Sequence, residues 1–177
     1  MQNNWVSGTG IQTWSGKRLD FSAADPDAIC IEDIAHALSL LCRYTGHCLQ
    51  FYSVAEHSVH LARLPGTVRW KRTALLHDAS EAYTGDISRP LKQLLPDFKR
   101  IELELEEIIA KKFDLVWPHP QSIKEFDTRI LADEKARVMR DSDVWSMENV
   151  KPLGVMIECW GPGRARTEFL KTWRALS

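Results

Sequence analysis

The chain lacks most of what marks a membrane, secreted or nucleic-acid-binding protein. No apolar stretch approaches the ~18 residues a membrane span needs, so no membrane partner is expected. The opening decapeptide, MQNNWVSGTG, has neither a basic region nor an apolar core and does not read as a signal peptide. An excess of one charge is missing too. Twenty-three Lys+Arg against 24 Asp+Glu leave a formal net charge of −1, which removes the electrostatic footprint of a protein that binds polymeric nucleic acid. A local basic pocket for a small anion stays compatible with that balance. The four cysteines, Cys30, Cys42, Cys48 and Cys159, form no C-x-x-C pair. Cys42, His47 and Cys48 lie close together, yet no second ligand pair follows at short spacing, so idle cytoplasmic thiols are the better reading than a zinc cluster. No E-x-x-H occurs, which excludes a di-iron helical bundle. Repeats, low-complexity tracts and linkers are absent. The tryptophans Trp5, Trp70, Trp117, Trp145, Trp160 and Trp173 form no stripe that would mark an interface.

What is present is ordinary in bulk. The 177 residues are 44% hydrophobic and 27% charged, enough for one domain that buries roughly 70% of its unfolded surface without a disulfide or metal to staple it. The expectation is a single all-α domain over 1–177. An irregular arm covers 1–30, with a short hairpin around Trp14-Ser15-Gly16-Lys17. Helical periodicity predicts helices over 32–43, 53–63, 68–83, 97–113, 122–141 and 164–175, with a short coil between Pro90 and Pro96 and an irregular segment over 142–163. Ser53 and Glu56 match a capping box at the start of the second helix. On the fourth, Ile101, Leu105, Ile108 and Ile109 make the buried stripe, leaving Glu102, Glu104, Glu106 and Lys111 for the solvent face. Phe126, Ile130 and Leu131 point inward on the fifth.

Ionisable residues interrupt these apolar faces. Ala74-Leu75-Leu76-His77-Asp78-Ala79-Ser80-Glu81 reads as a core helix, and buried His, Asp and Glu are costly unless paired or metal-bound. His77 and Asp78 stand about 100° apart on a helix. His77 and Glu81 are one turn apart on one face, so Glu81 sits beside a metal-binding imidazole without being a ligand, where a general acid/base belongs. His57 lies on the preceding helix, and Asp127 on an apolar turn far downstream. Two imidazoles and two carboxylates form a donor set suited to one divalent ion such as Mn, Co, Fe, Ni or Zn. His36, His47 and His60 read as structural.

The order His57, His77-Asp78, Asp127 resembles the H…HD…D signature of the HD-domain metal phosphohydrolases. The runs Ser53-Val-Ala-Glu-His57-Ser and His77-Asp-Ala-Ser-Glu81-Ala-Tyr-Thr-Gly-Asp86-Ile-Ser-Arg-Pro90-Leu-Lys92 resemble the short bacterial 5′-deoxynucleotidases and the related single-domain phage enzymes, dATP triphosphohydrolases among them. The likeness spans about residues 12–140. It implies that His57, His77, Asp78 and Asp127 hold one divalent ion, that Glu81 polarises or deprotonates water, and that Asp86 assists. It further implies that Arg43 and Lys92 contact phosphate, and that Ile29, Ile31 and Pro90 touch the substrate, with Ile29 and Ile31 against deoxyribose and base. Only His119 follows the HD pair, which favours a mononuclear site.

The implied reaction is attack at the α-phosphorus of a deoxynucleotide, releasing the deoxynucleoside with triphosphate from a dNTP or phosphate from a dNMP. A 5′-deoxynucleotidase confined to dNMPs and a non-catalytic nucleotide-binding protein are the alternatives. The implied setting is a cytoplasmic homo-oligomer, dimer or hexamer. Trp14 and Tyr83 read either as base-stacking or as packing residues, and Lys17 and Arg18 as phosphate contacts or solvated charges.

Overall fold

A computed structural model describes residues 8–142 and 147–177; Trp5 and Trp145 lie outside them, as does part of the 142–163 segment. Among the described residues the elements are two short strands, β1 (Gly10–Gln12) and β2 (Arg18–Asp20), and eight helices. The helices are α1 (Ile31–Leu40), α2 (Val54–Ala62), α3 (Val68–Leu75), α4 (Glu81–Thr84), α5 (Arg89–Lys92), α6 (Pro96–Lys112), α7 (Gln121–Val138) and α8 (Pro162–Ala175). The fold is all-α, as the periodicity predicts, and the strands form the small antiparallel hairpin expected around Trp14–Lys17. Among the described residues no helix is long and apolar enough to cross a membrane.

Helix α2 is the centre of the structure. It packs against α1, α3, α7 and α8, and all of its residues from Val54 to Ala62 are buried. A helix buried on every side is usually apolar throughout, but α2 carries Glu56, His57, Ser58 and His60. Each buried polar group therefore needs a partner. Ser53 caps the helix by accepting from the Glu56 N–H at 3.1 Å, so the serine half of the capping box forms. The Glu56 side chain turns elsewhere. It accepts backbone N–H bonds from Glu158 (2.9 Å), Cys159 (3.0 Å) and Trp160 (2.5 Å), with His60 beside it at 3.4 Å. That clasp fastens the irregular segment before α8 onto α2 and accounts for both Glu56 and His60 as structural.

Two sequence expectations need correction. The helix predicted over 68–83 is two helices, α3 and α4, separated by a turn over 76–80. Leu76 leaves helical geometry (φ −109°, ψ 13°), and the Ala79 N–H bonds to Leu76 O and the Glu81 N–H to Asp78 O, three residues back in each case. His77 and Asp78 therefore sit on a tight turn, and the one-turn relation of His77 to Glu81 on a continuous helix does not hold. The second correction concerns α6. Leu105 and Ile109 are buried as expected, but Glu102 is not on the wet face; it is largely buried and bonded to Lys92. Glu106, one turn on, is half-buried beside it.

Candidate metal centre

Four parts of the chain converge at one buried point. Helix α2 supplies His57, the 76–80 turn His77 and Asp78, and α7 Asp127 and Glu134. The loop after α1 adds Arg43 and Tyr44. The Nε2 atoms of His57 and His77 are 3.3 Å apart. Asp127 Oδ1 lies 3.2 Å from His57 Nε2 and 4.0 Å from His77 Nε2. Asp78 Oδ2 is 3.2 Å from His77 Nε2 and 3.7 Å from His57 Nε2. The ligand atoms of His57, His77 and Asp127 all fall within 4.8 Å of one another and could hold a metal ion.

The remaining atoms of the two rings test that fit. His57 Nδ1 is 2.7 Å from Glu134 Oε1, and His77 Nδ1 is 2.9 Å from Ala74 O. Both partners accept, so each Nδ1 carries the hydrogen and each Nε2 is left as a lone pair when the ring is neutral. Two lone pairs and two carboxylates then face one point, an arrangement that is repulsive until a cation or protons enter it. The separations match ligands sharing an ion at about 2.0–2.2 Å, and N/O donors suit the middle first-row divalent metals.

Without a metal, protons meet part of that demand. Burial opposes the charged form of His77, yet the neighbouring Asp78 carboxylate lifts its pKa to about 9. Burial likewise opposes ionisation of Asp78, but the His77 imidazolium holds it far below the usual carboxylate range. For Asp127 burial is again outweighed, here by the hydrogen bond and charge of His57, and its pKa is lowered.

Glu134 escapes a motif reading, yet it organises the site. Wholly buried, it takes His57 Nδ1 on Oε1 together with the Tyr52 hydroxyl at 2.9 Å, while Arg43 Nη2 at 3.1 Å and the Tyr44 hydroxyl bond to Oε2. Burial alone would raise its pKa; the Arg43 charge and then His57 bring it down to about 2. The signal available in the sequence is its spacing from Asp127. Seven residues are close to two full turns, which puts both carboxylates on one face of α7. Tyr44 has no such signal, because it reaches Glu134 from a loop in which Tyr44 and Thr45 take left-handed φ values of 57° and 55°.

The other predicted site residues fall into two groups. Glu81 is buried beside the centre; its Oε1 accepts from Lys92 at 3.1 Å and its Oε2 has no partner. Burial, followed by the charges of Asp78 and Asp86, pushes its pKa well above the ordinary carboxylate value. Asp86 is half-buried and its pKa is raised, chiefly by burial. Lys92 bridges Glu81 to Glu102 (2.7 Å). Arg43 is nearly buried, anchored on Glu134 through Nη2, with Nη1 3.7 Å from Asp78 Oδ2. These residues do gather around the centre. Ile29 does not: it is wholly buried in the main core, with no surface to offer a ligand, and Ile31 packs against the same core. Pro90 is exposed at the start of α5. Lys17 donates to Asp27 O and Arg18 pairs with Asp20, so both serve the arm. Cys42, His47 and Cys48 form no metal cluster among the described residues; all four cysteines are free thiols.

The fold and this geometry define an all-α protein with a buried cluster of imidazoles and carboxylates able to hold a metal ion. The chain belongs to the same family as the uncharacterized protein YfdR of Escherichia coli (strain K12), with which it shares 38% identity over 178 aligned residues, 94% of this chain and 95% of YfdR. An uncharacterized protein of Rhodobacter capsulatus is 39% identical over 127 residues, 64% of this chain and 65% of the relative. No family model matches the chain.

Proposed function

We propose that the protein is a metal-dependent phosphohydrolase of the HD type that cleaves deoxynucleotides at the α-phosphate. The observation that carries this reading is the convergence of His57 Nε2, His77 Nε2, Asp78 Oδ2 and Asp127 Oδ1 beside the unpartnered, buried Oε2 of Glu81. In this reading one divalent ion is held by His57, His77, Asp78 and Asp127. When bound, such an ion supplies positive charge at a phosphoryl oxygen and acidifies water. Glu134 holds the His57 ring in the tautomer that presents Nε2, and the Ala74 carbonyl does the same for His77.

Glu81 takes the proton of the attacking water, for which its raised proton affinity and free Oε2 suit it. Asp86 supports it from the same turn. Arg43, already fixed by Glu134, offers Nη1 to a phosphoryl oxygen without further ordering, and Lys92 adds a second cation on the Glu81 side. Water adds to the α-phosphorus, the bond to the 5′ oxygen breaks, and that oxygen leaves with a proton as the deoxynucleoside. The second product is triphosphate from a dNTP or phosphate from a dNMP. The free thiols support a cytoplasmic setting.

The test is product analysis with Mn²⁺- or Co²⁺-loaded protein on each dNMP, each dNTP and the matching ribonucleotides. Deoxynucleoside plus triphosphate identifies a triphosphohydrolase, and deoxynucleoside plus phosphate from monophosphates alone a 5′-nucleotidase. Asp78→Ala is expected to lose metal binding and turnover together; an active, metal-free variant would sink the reading. Silence of the loaded wild-type protein on every substrate would favour a nucleotide-binding role without turnover.

A further inference from the structure

Lys92 lies on a segment that gives it little support. Helix α5 has no buried residue, and Leu91, Leu94 and Leu95 around it are exposed, so burial does not fix the chain there. A long lysine stem is costly in rotamer entropy to hold in one place. The ammonium is held nonetheless, and α6 does most of the holding. Glu102 Oε1 accepts from Lys92 Nζ at 2.7 Å, shorter than the 3.1 Å bond to Glu81 Oε1. The Phe98 ring lies against the same Nζ, with its centroid 5.8 Å away, within cation–π range. Phe98 and Glu102 are one turn apart on one face of α6, and Leu105, Ile109 and Ala110 root that helix in the main core.

This socket is charged and mostly dry, with the Lys92 side chain 19% exposed and that of Glu102 12%. Burial opposes charge on the ammonium, but Glu81 and Glu102 outweigh it, and its pKa is raised. An ammonium carries three donors. Two of them meet these carboxylates, which leaves one to turn toward a further acceptor. The two carboxylates are not equivalent. In the proposed reaction Glu81 takes a proton, which ends its charge and its pull on Lys92. Among the described residues Glu102 bonds to Lys92 and to none of His57, His77, Asp78 and Asp127, so its hold outlasts that step.

We infer that Glu102 is a positioning residue of the site: it holds Lys92 beside Glu81, from where the ammonium meets an oxygen of a phosphoryl group bound at the His57–His77 centre. The inference rests on the phosphohydrolase reading for what Lys92 meets, and it gives α6 a part in the site that an amphipathic pattern does not show. The sign of the effect separates this role from charge acting through space. Removing a negative charge near an anion site favours the anion by Coulomb's law. Removing the tether leaves Lys92 to pair with Glu81 alone, so the anion loses an ordered cation and binds more weakly.

The experiment titrates inorganic phosphate into Mn²⁺-loaded protein by calorimetry, for the wild type, Glu102→Gln, Lys92→Met and the double variant. Glu102→Gln is expected to weaken phosphate binding roughly tenfold, the scale of one charge-assisted hydrogen bond. In the Lys92→Met background the same substitution leaves phosphate affinity unchanged or raises it, because no ammonium remains to be positioned. A Glu102→Gln protein that binds phosphate as well as the wild type or better overturns the inference. So does an equal loss in both backgrounds, the mark of a merely structural part, and so does a wild type that binds no phosphate. Should Lys92→Met fail to fold, Lys92→Gln takes its place in the cycle. The expected pattern in a protein that hydrolyses no nucleotide upholds the positioning role and removes the catalytic reading. Hydrolysis without that pattern removes Glu102 from the site and leaves the catalytic reading standing.

Discussion

The Nε2 atoms of His57 and His77 face each other at 3.3 Å while the Nδ1 of each ring is already committed, one to Glu134 and the other to the Ala74 carbonyl. Two imidazoles buried nose to nose gain nothing from each other. What makes the contact tolerable is the pair of carboxylates beside it, and these demand positive charge in the space between. The chain has therefore spent a central, fully buried helix on a point that its own neutral groups cannot satisfy. Such an arrangement could hold a metal ion.

Replacement of Glu134 tests how far that point depends on its support. Glu134→Gln keeps the shape but removes the charge that orients His57 and neutralises Arg43. Metal affinity, read by calorimetry on protein stripped and reloaded with Mn²⁺ or Zn²⁺, is expected to fall roughly 10–100-fold. Glu134→Ala also strands the buried Arg43 guanidinium and is expected to lose about 3–5 kcal/mol of stability in denaturant titration. Affinity unchanged in the glutamine variant would remove Glu134 from the support of the centre.

Glu81→Gln should separate binding from turnover. The residue is not among the atoms that converge on the centre, so metal affinity is expected within about threefold of wild type, since the substitution removes one nearby charge and no ligand. Hydrolysis should fall by about 10²–10⁴-fold. A rate equal to wild type would end the proposed role of Glu81.

The α6 carboxylates give a pH signature in the metal-free protein. Burial, then the charges of Glu102 and Asp78, raise Glu106 to about 7, partly offset by Lys92 and His77. A carboxyl whose folded pKa lies above its unfolded value holds its proton more tightly when folded. Its contribution to stability therefore declines as pH rises from about 4.5 through 7. Glu106→Gln removes that decline. Because the group is only partly buried, the variant is expected to exceed wild type by roughly 1–2 kcal/mol at pH 8, with little difference near pH 4.5. Parallel stability–pH curves for the two proteins would contradict the assignment.

Glu56→Ala leaves three backbone N–H groups of the Glu158–Trp160 segment without their acceptor. The expected loss is on the order of 3–5 kcal/mol, visible as a lowered denaturant midpoint. Glu56→Gln, which keeps one acceptor oxygen, should recover part of it.

Helix content and the residues of the imidazole–carboxylate cluster were legible because they rest on local signals. Apolar periodicity locates α1, α2, α6, α7 and α8, and ionisable residues within apolar runs give away His57, His77 and Asp127. The break at Leu76 was not legible, since every residue from Thr73 to Tyr83 is compatible with a helix and only packing around the turn decides otherwise. Glu102 and Glu106 misled for a related reason. On an amphipathic helix a glutamate is assigned to water by default, and only the position of Lys92 on a neighbouring element turns α6 inward there. Glu56 fits a capping box by spacing, but its side chain is claimed by partners more than a hundred residues away, which no local pattern can announce.

That distance has a consequence for how the molecule comes into being. The carboxylate of Glu56 does not meet its three backbone N–H donors until residues 158–160 arrive, and α2, which bears His57, also packs against α8. A chain emerging from the ribosome therefore holds all of its proposed ligand residues well before it can lock them together. Completion of the centre is tied to residues 158–160, so a chain cut before residue 158 should bind metal weakly although none of the proposed ligands is missing.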